Sequence, residues 1–196
     1  MTIESRISAN FVQSGELKLA LAELLAKPIA NAASIIVEAL LKENKVLVCG
    51  NGGSAASAQY FASLMLNHFE MERPGLAAIA LCADNSTLTS IASDNDFDKV
   101  YSKQIMALGV ENDVLLVIST SGNSASTLNA IDAARERGMA IIAMSGGDGG
   151  ILVELLGEND IHIGIPHESA SRIQETYVLI LHCLCDAIDC LLLGVN

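Results

Sequence analysis

Four hydroxyls fall within six residues at Ser119-Thr120-Ser121-Gly122-Asn123-Ser124. They follow Val114 to Ile118, an unbroken apolar run with three β-branched residues, the pattern of a strand buried on both faces. Ala125 to Arg137 then reads as a helix. Strand, hydroxyl-rich turn and helix together can hold a phosphate, because a helix N-terminus offers unpaired N–H groups and a positive dipole end. The loop has no Lys or Arg, so such a cradle would be built from neutral dipoles. A turn merely capped by Ser124 would show the same residues, and the loop alone leaves both readings open.

A second loop has the same layout. Lys45 to Cys49 reads as a strand, Gly50-Asn51-Gly52-Gly53-Ser54 as a glycine-rich turn, and Ala55 to Phe69 as a helix. Glycines permit close backbone approach, while Asn51 and Ser54 offer side-chain partners. The spacing is not G-x-G-x-x-G, and no Gly-Lys-Ser/Thr follows, so neither a dinucleotide fingerprint nor a Walker loop is present. The remaining groups that could move protons or bind metal are scattered: Asp94 and Asp96 in a polar turn, and His68, His162, His167 and His182. The five cysteines (Cys49, Cys82, Cys183, Cys185, Cys190) show no C-x-x-C spacing and read as reduced core residues of a cytoplasmic protein.

The elements that must position these residues alternate along the chain. Strands are expected near residues 45–49, 76–81, 114–118, 139–144 and 161–165, with helices between them and a long closing helix from Glu168 to Leu193. This is the pattern of an α/β fold with a five-stranded parallel sheet flanked by helices, and in such sheets ligands sit at the carboxyl ends of the strands. Residues 1–42 read as two leading helices broken at Pro28, used in oligomerisation, within a single domain covering 1–196. Hydrophobic residues are 51% of the chain, with no apolar run read as a membrane span, so the excess is expected at subunit contacts. A net charge of −12 argues against direct binding to nucleic acid or an anionic membrane.

Three motifs in order, CGNGGSAASAQ (Cys49 to Gln59), DVLLVISTSGNS (Asp113 to Ser124) and RIQETYVLILHCLCD (Arg172 to Asp186), resemble the sugar isomerase (SIS) family. The resemblance is to its phosphoheptose isomerase branch and to the related DnaA initiator-associating proteins. It implies a homotetramer with sites at subunit boundaries and a phosphosugar ligand such as sedoheptulose 7-phosphate. It also implies a phosphate loop at Ser119, Thr120, Ser121 and Ser124, sugar contacts at Asn51, Gly52 and Ser54, a pocket aspartate at Asp94, and site residues Gln174 and His182 on the last helix. A spacing of eight puts the last two about 80° apart around the helix and about two turns along it.

One patch departs from the resemblance. Isomerases of this branch carry a His-x-x-x-Glu pair as metal ligands and acid/base where this chain has Tyr60 and Leu64. Leucine supplies no base, and Gln174 with His182 would be only two zinc ligands of the usual four, so no cofactor is expected and zinc is doubtful. The expectation drawn from this is a phosphosugar-binding protein with weak or absent isomerase activity and DnaA as the corresponding partner. The alternative is an active isomerase converting sedoheptulose 7-phosphate to D-glycero-D-manno-heptose 7-phosphate for lipopolysaccharide core synthesis, with His182 and Gln174 catalytic.

Overall fold

A computed structural model describes residues 1–194. Five strands, β1 (Val46–Gly50), β2 (Ala78–Ala80), β3 (Val114–Ser119), β4 (Ala140–Gly146) and β5 (Ile161–Ile165), form one parallel sheet in the order β2-β1-β3-β4-β5. All residues of β1 and β3 are buried, as expected of central strands covered on both faces. The helices are α1 (Ile3–Leu41), α2 (Gly53–Leu66), α3 (Asn85–Asp94), α4 (Ser102–Leu108), α5 (Ala125–Glu136), α6 (Gly150–Leu155) and α7 (Ala170–Leu193). The chain leaves β1 in one direction along the sheet and β3 in the other. Right-handed crossovers therefore place α2 and α5 on opposite faces. α1 and α7 pack on the α2 side, and α4 and α6 pack with α5.

The two leading helices expected from Pro28 are one continuous helix of 39 residues. A mid-helix proline removes one hydrogen bond and costs about 3 kcal/mol in isolation. Here Leu21, Leu25, Ile29, Ala32, Ala33 and Ile36 form one buried stripe across the proline, packed on α7 and β5, and tertiary packing overrides the local break. α1 and α7 are both long and apolar enough, by length and composition, to cross a membrane, contrary to the reading of the sequence. In this fold they lie against one another. Cys183, expected in the core, is exposed, whereas Cys49, Cys82 and Cys185 are buried.

The edge of the sheet opposite the ligand loops is pinned by Asp113. Its carboxylate, fully buried, accepts from Lys45 Nζ at 2.6 Å, Lys45 N at 3.0 Å, Asn44 Nδ2 at 3.1 Å and Val110 N at 2.9 Å. Burial alone would raise its pKa, but these donors outweigh burial and hold it below the ordinary carboxylate range. Because the folded pKa is depressed, the stabilisation is present above the unfolded pKa and is lost as pH falls through the folded one. Asp113→Ala is therefore expected to cost about 3 kcal/mol at neutral pH in chemical denaturation. It should also flatten the decline of stability on acidification, measured as denaturation midpoint against pH.

Candidate active site at the strand ends and the α2–α7 seam

In a sheet ordered 2-1-3-4-5 the crevice opens between β1 and β3, where the connections diverge to opposite faces. The two loops singled out in the sequence leave these two strands, and their side chains join across the crevice. Asn51 Nδ2 donates to Ser124 Oγ at 2.7 Å and to Ser126 Oγ at 2.8 Å. The Asn51 carbonyl oxygen accepts from Tyr101 O–H at 3.0 Å, and the same hydroxyl reaches the carbonyl of Gly50 at 2.6 Å. Burial pushes the Tyr101 phenol up, so it stays a donor. Ser126 and Tyr101 carried no sequence signal, because each acts through Asn51 from a different element.

Ser124 begins α5, yet its hydroxyl makes no capping bond. It is turned to Asn51, which removes the plain capped-turn reading. Thr127 and Leu128 donate their N–H groups to the Ser124 carbonyl, while no protein acceptor pairs with those of Ala125 and Ser126 among the described residues. Ser119 is buried, and its Oγ accepts from Gly122 N at 3.2 Å, so it shapes the turn. Gly122 has φ +65° and lies so close to the Gly149 carbonyl that a Cβ would come within 1.7 Å of its oxygen. No other residue fits there.

Thr120 and exposed Ser121 line an open cleft of about 290 Å³ with Gly146, Gly147 and the start of α7. No Lys or Arg lines it, and Asp148 and Glu168 do, so an anion there would have to be held by hydroxyls, backbone N–H groups and the helix end against two nearby carboxylates. Asp94 is exposed at the end of α3 and hydrogen-bonds to none of the other residues expected at the site.

α2 buries Ala58, Phe61, Ala62 and Met65 at helical spacing, which leaves Tyr60 and Leu64 on its flank. α7 packs along that flank and ties to it at three levels. At the strand-end level Gln174 Nε2 donates to Ser54 Oγ at 3.1 Å and lies over Gly53, where a Cβ would stand 3.1 Å from the amide. About two turns further along, His182 Nε2 and Tyr60 Oη are 2.8 Å apart. At the far end Arg73 and Asp189 form a salt bridge buried on both sides. Arg73 also donates to the carbonyls of Met65 at 2.9 Å and Leu64 at 3.1 Å, satisfying the C-terminal end of α2. Gln174 and His182 thus both belong to the seam. Arg73, Asp189 and the aromatic neighbour Phe69 were not foreseen.

The seam does not gather the donor set of a metal site: Leu64 has no ligand atom, Gln174 and the Nε2 of His182 are each engaged by protein, and no three His, Cys, Asp or Glu residues gather among the described residues.

A family model described as "SIS domain" matches residues 11–146. Over all 196 residues the chain is 57% identical to the phosphoheptose isomerase of Aromatoleum aromaticum, covering 99% of it. It is 53% identical to that of Coxiella burnetii over 96% of this chain and 95% of the relative. Among solved structures it is similar to the phosphoheptose isomerase from Francisella tularensis, with TM-score 0.93 and 46% identity over 96% of this chain and 99% of that one. The phosphoheptose isomerase GmhA from Neisseria gonorrhoeae aligns with TM-score 0.91 and 45% identity over 96% and 99% of the two chains.

The Arg73–Asp189 tie should behave as a buried ion pair. Arg73→Ala strands a buried carboxylate and frees the α2 carbonyls, with an expected loss of about 3–5 kcal/mol in denaturant unfolding. Arg73→Met combined with Asp189→Leu should recover most of that loss, because an apolar pair leaves no charge unpaired. A double variant no more stable than Arg73→Ala would show that the carbonyl bonds, not the ion pair, carry the effect.

Proposed function

The chain belongs to the SIS-domain family and, within it, to the phosphoheptose isomerases, and from this premise we propose that it is an aldose–ketose isomerase acting on a phosphorylated seven-carbon sugar. The observation that carries the proposal is 57% identity over the whole chain to a phosphoheptose isomerase. The expectation of a binding protein without effective turnover, partnered with DnaA, is corrected by that same finding, since relatives 51–57% identical bear the isomerase name. That expectation gave two side chains, Tyr60 and Leu64, the deciding weight. Isomerisation needs one well-placed base, and His182 remains on the seam.

The proposed reaction interconverts sedoheptulose 7-phosphate and D-glycero-D-manno-heptose 7-phosphate, as a step toward lipopolysaccharide core. The phosphate lies at the Thr120–Ser124 turn, held by hydroxyls and the free N–H groups at the start of α5. With Ser119 shaping that turn, Ser121 and Ser124 supply the accessible hydroxyls. Asn51, Gly52 and Ser54 receive sugar hydroxyls beside the Gln174 amide, and Asp94 reaches the sugar only when substrate or a neighbouring subunit brings it in. His182 moves the proton between C1 and C2. Net charge −12 repels the substrate at long range, so affinity rests on these local dipoles. The reaction takes place in the cytoplasm.

We also propose a homotetramer. Ile3, Ile7, Phe11, Val12, Leu19 and Leu24 are exposed around α1, more apolar surface than an isolated chain keeps in water. Light scattering after gel filtration should give four times the 20.6 kDa chain mass. Phe11→Glu should lower it, and a monomeric wild type would contradict the assignment.

Turnover of sedoheptulose 7-phosphate by the purified protein tests the function directly. The expected result is product formation, a drop of about 100-fold or more in kcat for His182→Ala, and a rise in KM for Ser121→Ala/Ser124→Ala. Wild type indistinguishable from His182→Ala would sink the isomerase assignment.

A further inference from the structure

Tyr60 and His182 meet on the solvent-facing shoulder of the α2–α7 seam. Phenol oxygen and Nε2 are 2.8 Å apart, and the rings meet edge to face with centroids 5.6 Å apart. Phe69, just past the end of α2, lies against the same imidazole at 5.2 Å. One nitrogen of His182 is therefore committed to Tyr60 and the ring is steadied by two aromatic neighbours. Nδ1 makes no hydrogen bond to a described residue.

A metal needs a free lone pair on the imidazole and further strong donors around it. Nε2 offers none in either tautomer, and at the open Nδ1 the further donors are missing, since no three His, Cys, Asp or Glu residues gather among the described residues. If Nε2 donates to the phenol oxygen it has no lone pair, and if it accepts from the phenol its lone pair is occupied. Leu64, one turn beyond Tyr60 on the same face, has no donor atom. The Gln174 amide is engaged with Ser54.

Resting on the isomerase reading, we infer that the Tyr60–His182 pair stands in place of a metal centre. Tyr60 is a positioning residue that accepts the Nε2–H of His182, which fixes the tautomer with Nδ1 as an open lone pair for metal-free proton transfer. The proton balance closes without a co-reactant. Nδ1 takes a proton from C1 of the ketose, and the C–H electron pair becomes the C1=C2 bond of an enediol as the C2 oxygen takes a proton from solvent. The imidazolium then returns its proton to C2 while the C1 hydroxyl gives its proton to solvent, leaving the aldehyde at C1. In its charged interval the imidazolium lies 5.2 Å from the Phe69 ring, centroid to centroid, at a tilt of 32°, and an aromatic face at that distance favours a cation.

Three readouts on the full chain test this. Nitrogen NMR of ¹⁵N-histidine-labelled protein, with the His182 signals assigned by their loss in His182→Ala, should show the Nε2–H tautomer in wild type. A mixture of tautomers is expected in Tyr60→Phe, whose fold is checked by circular dichroism. Zinc titration followed by dialysis should leave wild type without stoichiometric zinc, whereas Tyr60→His/Leu64→Glu should retain it. Turnover of sedoheptulose 7-phosphate should survive EDTA, and Tyr60→Phe should lower kcat by about tenfold with KM unchanged. An Nδ1–H tautomer in wild type, or stoichiometric zinc that His182→Ala abolishes, overturns the inference. Absence of turnover in wild type with or without zinc would instead refute the isomerase reading and with it the proton-transfer role, while the tautomer and zinc results would still decide the pair itself.

Discussion

The seam between α2 and α7 is the constraint on which the site depends. Both helices start at the carboxyl edge of the sheet and run down the same face, α2 after β1 and α7 after β5. Gln174, His182 and Asp189 recur at spacings of eight and seven, so one shoulder of α7 faces α2 along its length. Each level is tied by a polar contact, to Ser54, Tyr60 and Arg73 in turn. The last contact is costly in itself, because two charges leave water, and one Asp189 oxygen has no partner among the described residues. Its compensation is geometric: the guanidinium also closes the end of α2, so the depth and rotation of both helices are set together. His182 inherits its position from the fixed ends on either side.

A second constraint joins the seam to the hydroxyl-rich turn after β3. Asn51 spans the crevice where the connections from β1 and β3 part, and Tyr101 holds its amide in one orientation. Both halves of the crevice thereby share a register: the turn before α2, which carries Ser54, and the turn before α5, which carries Ser121 and Ser124. Substrate bridging the two turns would place its phosphate by dipoles on one side and its carbonyl end toward the seam on the other. In an acidic protein such an arrangement would give specificity without a basic side chain in the loop.

The sheet and both loops were legible in the sequence, because buried parallel strands write apolar runs and the turns after them write glycine and hydroxyl clusters. The spacing of Gln174 and His182 likewise showed two groups on one side of a helix. What stayed hidden depended on contacts between distant segments. Pro28 reads as a break, but a continuous buried stripe on either side carries the helix through it. Ser124 reads as a cap until Asn51, 73 residues earlier, claims its hydroxyl. Tyr60 and Leu64 read as a loss of chemistry, since the sequence does not reveal that the phenol reaches the His182 ring 122 residues away. Weight given to that one patch misjudged the function of a chain whose whole length matches isomerases.

On the proposed function this chain transfers a proton at the carbonyl end of a heptose phosphate, with His182 as the base. Incubating it with sedoheptulose 7-phosphate in D₂O, with EDTA present, and following C1 by proton NMR tests that claim most directly. Loss of one of the two C1 proton signals, as the imidazolium exchanges its proton for deuterium before returning it, is the predicted result, and it is absent in His182→Ala. A C1 signal that persists unchanged in the presence of wild type, with and without added zinc, would contradict it.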